Sequence, residues 1–156
     1  MIDWGVLARA IHVVAVVVWI GGVWLVTTVL LPAMKEQRPE EWIAKFDAIE
    51  QRFAPQVRIA ALLVLLSGLY MLSAYDLWDR FTELRYWWVH LMVGVWLLFA
   101  ALLFVIEPLI IGRAIRGRAA TESAAMLTRM LWIHRVLLTF ALLAVFAAVA
   151  GSHGLL

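Results

Sequence analysis

Four long apolar runs take up most of this chain and leave it few choices of fold. They contain few or no charged residues and lie at about 10–31, 59–75, 86–111 and 130–151. Because a helix needs about 20 residues to cross about 30 Å of hydrocarbon, each run is close to the length of a membrane-spanning helix. The mean hydropathy of +0.94 and the 65% share of hydrophobic residues also far exceed those of an ordinary soluble domain. The sequence therefore predicts an all-α integral membrane protein.

We expect one transmembrane domain, 1–156, folded as a four-helix bundle. Four spans use nearly all of the 156 residues, and neither a linker nor a convincing internal repeat separates them. The first run has no basic segment before it and is too long for a signal peptide, so we interpret it as helix 1. Small residues in the runs are predicted to allow close helix packing, among them Gly21, Gly22, Ser67, Gly68, Gly94 and Gly151.

The segment between runs 1 and 2 carries charges of both signs together with a set of apolar residues at helical spacing. The apolar residues recur every three or four positions, as Trp42, Ile43, Phe46, Ile49 and Phe53. This spacing predicts a short amphipathic cytoplasmic helix that either lies on the membrane surface or extends helix 2. Its charges are expected to form a solvated face and not a catalytic one.

The basic residues predict the orientation of the bundle. The thirteen Lys and Arg residues include ten that lie around the connections from helix 1 to helix 2 and from helix 3 to helix 4: Lys35, Arg38, Lys45, Arg52, Arg58, Arg113, Arg116, Arg118, Arg129 and Arg135. The positive-inside rule places these connections in the cytoplasm and both chain termini in the periplasm of a bacterial inner membrane. The net charge of +2 is thus a topology signal and gives no support for nucleic-acid binding.

Histidine is the residue type that most directly indicates a cofactor here. The chain has no cysteine, which excludes thiolate metal sites and covalent haem attachment. His12 and His90 lie near the outer ends of helices 1 and 3 and so at comparable depth, where buried imidazoles need a partner. Two imidazoles at matched depth on two helices of a bundle are typical of bis-imidazole haem ligation. His134 lies at the opposite end and is predicted to be an interfacial side chain, whereas His153 is predicted to be exposed.

Several neighbours of these histidines suit a flat macrocycle. Gly94 shares a helical stripe with His90 and leaves room beside it. Arg9, Arg80 or Arg85 is expected to neutralise haem propionates, and Trp19 or Trp96 to pack around the ring. A competing chemistry is a Cu(I) site made of His12, His90, His153 and Met71. Near the inner end, Glu107 is expected to form an ion pair with an arginine such as Arg58.

The motifs around both histidines resemble a known family. Ala10-Ile11-His12 followed by Val18-Trp19-Ile20-Gly21-Gly22, and later Trp87-Trp88-Val89-His90-Leu91-Met92, resemble the copper resistance D (CopD) family over nearly the whole chain. Ile49-Glu50-Gln51-Arg52-Phe53 is also similar to the related HemJ-type protoporphyrinogen oxidases, which are haem-b membrane proteins. The resemblance implies that the family's histidines of helices 1 and 3 fall on His12 and His90.

The chain also departs from the HemJ pattern. That pattern has a lysine shortly after the second histidine and an Asn-Glu pair after an arginine in helix 4. This chain has Met92 at the first place and Val136-Leu137-Leu138 after Arg135 at the second. The departures argue against protoporphyrinogen oxidation and leave haem binding untouched.

The sequence favours a membrane protein that holds one b-type haem near the periplasmic side, between helices 1 and 3, for electron transfer or a related redox task. Whether it turns over a substrate is left open. Expected partners are the lipid bilayer and a redox partner or larger membrane complex, with homo-oligomerisation left open. The alternatives are a CopD-like copper-handling protein and a cofactor-free accessory subunit of a respiratory complex.

Overall fold

The computed structural model describes residues 2–111 and 123–155, which are almost entirely helical and contain no strand. We label the four long helices α1 to α4. They are α1 (Trp4–Met34), α2 (Pro39–Ala74), α3 (Trp87–Ala100, continued by a π-helical segment, Ala101–Ile111) and α4 (Ser123–Ser152). Two short 3-10 turns, Trp78–Phe81 and Leu84–Tyr86, connect α2 to α3. The end of the bundle that holds this connection is called the outer end below, and the opposite end the inner end.

Within the part of the chain that the structure describes, four helices are long and apolar enough to cross a membrane, which confirms the count predicted from the apolar runs. The qualifying stretches are Trp4–Met34, Glu41–Ala74, Leu84–Ile106 and Ala125–Ser152, with mean hydropathies from 2.0 to 2.6. Most of their side chains are not covered by other helices. In the most apolar part of each stretch, only 17% to 33% of the residues are buried. Such helices indicate a multi-pass membrane protein, because lipid tails are a suitable solvent for the apolar surface left outside.

The segment predicted as an amphipathic helix is the first half of α2. α2 runs without interruption for 36 residues, and at 1.5 Å per residue it is about 54 Å long, well beyond the thickness of a bilayer core. Trp42 is only 2% exposed and packs with Leu31 and Met34 of α1 and with Leu127 and Leu131 of α4. The charged segment therefore extends helix 2, and its apolar face is covered by the other helices.

Helix starts and irregular turns follow from local chemistry. The Asp3 carboxylate caps α1 by accepting hydrogen bonds from the amides of Gly5 and Val6, at 2.9 and 3.1 Å. Within α1 the turn Val26–Leu30 is π-helical and comes directly before Leu31 and Pro32. Since a proline ring has no N–H and crowds the carbonyl four residues earlier, a widened turn at this place relieves the conflict.

Helices pack in two close pairs, α1 with α2 and α3 with α4, and α1 also contacts α4. Glycines permit the closest approaches because they present no side chain to an aromatic ring on the partner helix. Gly5 lies against Tyr75, Gly22 against Phe53, and Gly151 against Trp88. Gly22 and Gly151 are thereby confirmed as close-packing positions. Gly21 and Gly94 are not close-packing positions, because a Cβ atom added at either would meet nothing within 4 Å.

Candidate functional site

His12 lies on the face of α1 that points into the bundle. Ala8, Ala15 and Trp19 are buried on the same side of the helix, and the His12 ring between them is half-buried. Its Nδ1 atom lies 3.0 Å from the hydroxyl oxygen of Ser67 in α2. A Cβ atom added to Gly68 would be 3.4 Å from His12 Cε1, so the imidazole lies close to the α2 backbone. The histidine is thus held at the α1–α2 interface near the outer end.

The hydrogen bonds of Ser67 determine which His12 nitrogen remains available. The Ser67 hydroxyl approaches the carbonyl oxygens of Leu63 and, at 3.2 Å, Val64, and a carbonyl can only accept. The single Ser67 hydroxyl proton is therefore donated to these carbonyls. The Ser67 oxygen in turn accepts a hydrogen bond from the N–H of His12 Nδ1. The tautomer assigned in this way leaves a lone pair on His12 Nε2. A histidine whose other ring N–H is bonded to an oxygen is the usual arrangement of a metal ligand.

His90 is placed differently. Its ring is exposed, Nε2 donates a hydrogen bond to the Phe81 carbonyl at 3.2 Å, and the Phe81 ring packs edge-on at 5.7 Å. The buried side of α3 carries Trp88, Val95 and Phe99. His90 is nine residues from Phe99, which on an ideal helix is half a turn away. His90 and exposed Gly94 therefore lie on the outward face of α3, and none of the described contacts joins His90 to His12.

α1 and α3 do contact each other, but further from the outer end than the two histidines. The rings of Trp19 and Phe99 pack edge to face with centroids 5.1 Å apart. Trp19 is seven residues from His12 on the same face of α1, roughly 10 Å along the axis. It is 3% exposed, and its Nε1 atom has no hydrogen-bond partner among the described residues. Trp96 is already engaged, since its Nε1 donates to the Ala61 carbonyl at 2.9 Å.

The arginines expected near haem propionates all lie on tyrosine rings at the outer end. Arg9, three residues before His12 and exposed, lies 5.5 Å from the ring centroid of Tyr75. Arg80 and Arg85 lie 5.1 and 4.7 Å from the ring centroid of Tyr86. A guanidinium that stacks on a ring keeps its N–H groups in the ring plane available for anions. Arg85 is also ion-paired with Glu83, with Nε 2.5 Å from the carboxylate. Arg9 and Arg80 are therefore the cations of the outer end that are left for an anionic ligand near the two histidines.

The remaining histidines bond within their own helix. His134 Nδ1 donates to the Met130 carbonyl at 2.9 Å, and His153 Nδ1 to the Val149 carbonyl at 2.8 Å. His134 is half-buried and His153 exposed. By contrast, the Ser67 bond of His12 connects two helices.

Two further predictions concern copper and Glu107. Met71 is half-buried one turn beyond Ser67. Among residues 2–111 and 123–155, no three or more His, Cys, Asp or Glu side chains are grouped so that they could hold a metal ion. The predicted pairing of Glu107 lies outside the side chains that the structure describes, as do Arg113, Arg116 and Arg118. Arg58 Nε donates to the Leu103 carbonyl of the π-helical segment at 3.1 Å.

Ser67 was predicted only as a small residue suited to helix packing and not as a partner of His12. The available signal was a hydroxyl in the middle of an apolar run, because such a group seeks a hydrogen bond either in its own helix or across an interface. Ser67 does both.

Comparisons with known proteins add nothing to this geometry. No protein-family model, curated protein or solved structure matches the chain at a significant level. The resemblance to the CopD and HemJ-type families therefore stays a prediction from the motifs.

Proposed function

We propose that this chain is a multi-pass protein of a bacterial inner membrane that binds one b-type haem at the outer end of its bundle, with His12 as an axial ligand, and that it serves in electron transfer or a related redox task. The observation that carries this proposal is the hydrogen bond from His12 Nδ1 to Ser67. It fixes the imidazole at an interface between two helices and leaves Nε2 with a free lone pair. Haem iron is bound by such a neutral imidazole.

Two arginines at the outer end support the same proposal. A b-type haem carries two propionates, and Arg9 lies one helical turn from His12 while Arg80 lies near the start of α3. The buried Trp19 side chain lies on the same face of α1 below His12 and offers an apolar surface with one N–H that has no hydrogen-bond partner among the described residues. Bound haem would supply one-electron chemistry, and the protein its position and its reduction potential.

His90 is the proposed second axial ligand. In this arrangement its ring points away from the bundle, so both imidazoles can bind one iron only if α3 turns about its axis by roughly half a turn. Such a turn would break the bond from His90 to the Phe81 carbonyl. It would also have to preserve or replace the close packing of Trp88 on Gly151. The role of His90 therefore needs a direct test separate from that of His12.

The test is the absorption spectrum of the purified protein and three variants, after expression with ample haem and copper. We expect about one non-covalent haem per chain with the sharp reduced bands of low-spin iron. His12→Ala should abolish haem binding, and His90→Ala should convert the iron to a high-spin form because one axial position opens. His134→Ala is the matched control, since this histidine lies at the inner end, and it should leave the spectrum unchanged.

Other outcomes of this experiment are equally informative. Haem that survives His12→Ala with an unchanged spectrum contradicts the proposal. Haem that is lost with His12→Ala but unchanged in His90→Ala assigns the second axial position to a group other than His90. Stoichiometric copper without haem would instead support the copper-handling alternative, and a colourless, metal-free protein the accessory-subunit alternative.

A further inference from the structure

A shallow, open depression on the surface of α2, called the groove below, lies where the charged half of this helix meets its apolar half. The groove has a volume of about 400 Å³ and is lined by Ala48, Ile49, Arg52, Phe53 and Gln56. Arg52 and Gln56 are exposed, whereas Ile49 and Phe53 are half-buried. The Gln56 side chain is fixed by its own hydrogen bond to the Arg52 carbonyl at 2.9 Å. The groove thus combines an apolar floor with a cationic side chain at its rim.

The charges on this face of α2 are predominantly positive. Lys45 precedes Arg52 by seven residues, which places both on one side of the helix, about two turns apart. Asp47 and Glu50, the nearest acidic residues in the chain, are five and two residues from Arg52 and therefore lie roughly 140° to 160° around the helix from it. Glu41 shares the face, but its carboxylate is paired with Arg38. An anion is consequently the complementary ligand for this groove.

The position of the groove along α2 indicates what kind of anion. Charged residues are frequent from Lys35 to Arg52, whereas from Phe53 to Tyr75 the chain has a single one, Arg58. This change marks the place where a membrane helix passes from the headgroup layer into hydrocarbon. The face that carries Arg52 continues on the apolar side with three exposed side chains at helical spacing, Ile59, Leu63 and Leu66, which are 58%, 42% and 62% exposed.

We propose that this groove binds one anionic phospholipid. Arg52 holds the phosphate, with Lys45 adding attraction from two turns away, and an acyl chain lies over Phe53 and along Ile59 and Leu63. This inference rests on the membrane insertion proposed above and does not depend on haem. The groove lies at the inner end, far along α2 from Ser67, so a lipid bound there leaves the His12 site free.

The test uses the full chain purified in a mild detergent and native mass spectrometry with added dioleoylphosphatidylglycerol. We expect the wild-type chain to retain one such lipid and to prefer it over dioleoylphosphatidylcholine. Because a basic side chain near an anionic lipid surface contributes about 1 kcal/mol, Arg52→Gln should weaken retention about fivefold. Arg52→Lys should keep most of it. The matched control is Arg129→Gln, which removes an exposed arginine from α4 and should leave retention unchanged.

Two results would overturn the lipid site. One is equal retention by Arg52→Gln and the wild type, and the other is equal retention of the zwitterionic lipid by the wild type. Flotation with phospholipid vesicles separates this failure from failure of the proposed function. A wild-type chain that does not float overturns both membrane insertion and the lipid site, whereas one that floats while Arg52→Gln binds normally overturns the lipid site alone.

Discussion

At the scale of single residues, the bond between Ser67 and His12 has the most direct consequence for the proposed function. In Ser67→Ala the His12 Nδ1–H loses its acceptor, so the ring is no longer held with Nε2 free for iron. Loss of such an outer partner typically weakens metal binding by about 10-fold or more. We therefore expect Ser67→Ala to raise the haem dissociation constant about 10-fold, as measured by spectroscopic titration of the haem-free protein.

The same helix offers a matched control for this substitution. Ser73 lies six residues further along α2 and is exposed. Ser73→Ala removes a hydroxyl from the same helix without touching His12 and should leave the haem dissociation constant unchanged. Equal affinities for wild type and Ser67→Ala would contradict a role for this bond, as would equal losses in the two serine variants.

The sequence predicts at which end of the bundle His12 and His90 lie but not the direction in which each side chain points. His12 and His90 both lie near the outer end, as their positions within the apolar runs indicate. The rotation of α3 depends on the close fit of Trp88 against Gly151, which are 63 positions apart in the chain, and that fit directs His90 outward. Nothing local to His90 encodes this packing, and the Ser67 partner of His12 was missed for the same reason.

At the scale of helices, contact between α3 and α4 depends on a glycine. A Cβ atom at Gly151 would overlap the indole ring of Trp88, which is 4% exposed and so has little room to move. Gly151→Ala should therefore lower the free energy of unfolding by about 1 to 3 kcal/mol through overpacking. The measurement is thermal unfolding in detergent micelles.

Gly21→Ala is the control for that substitution. Gly21 also lies inside a long helix, but open space surrounds the position of its missing Cβ atom. Alanine there should leave stability unchanged or raise it by up to about 1 kcal/mol, because glycine is the poorer helix former. A Gly151→Ala protein as stable as Gly21→Ala would show that Trp88 can move aside.

The apolar runs predicted the number of helices but underestimated their lengths. Helix 1 was expected from about residue 10 and begins at Trp4, where Asp3 caps it. Helix 2 was expected from about residue 59 and begins at Pro39. Hydropathy marks only the part of a helix that suits hydrocarbon, whereas caps and contacts such as the burial of Trp42 continue the helix beyond that part.

At the scale of the whole molecule, the two ends of the bundle differ in charge and in packing. The inner end has its own apolar core around Trp42. Its surface is rich in exposed charged side chains, among them Lys35, Arg38, Lys45 and Arg52. The outer end presents short turns and arginines stacked on tyrosines. Because basic residues near helix ends are retained on the cytoplasmic side, this asymmetry predicts that the inner end faces the cytoplasm.

Reporter fusions test that orientation. Ten of the thirteen basic residues lie around the two connections at the inner end. A reporter fused after Leu156 should therefore be active only if it requires the periplasm, and one inserted near Gly117 only if it requires the cytoplasm. The reverse pattern would contradict the predicted orientation and place the proposed haem site on the cytoplasmic side. His12 and His90 would still lie at the same end of the bundle, so the haem proposal would keep its site and lose only its assigned side of the membrane.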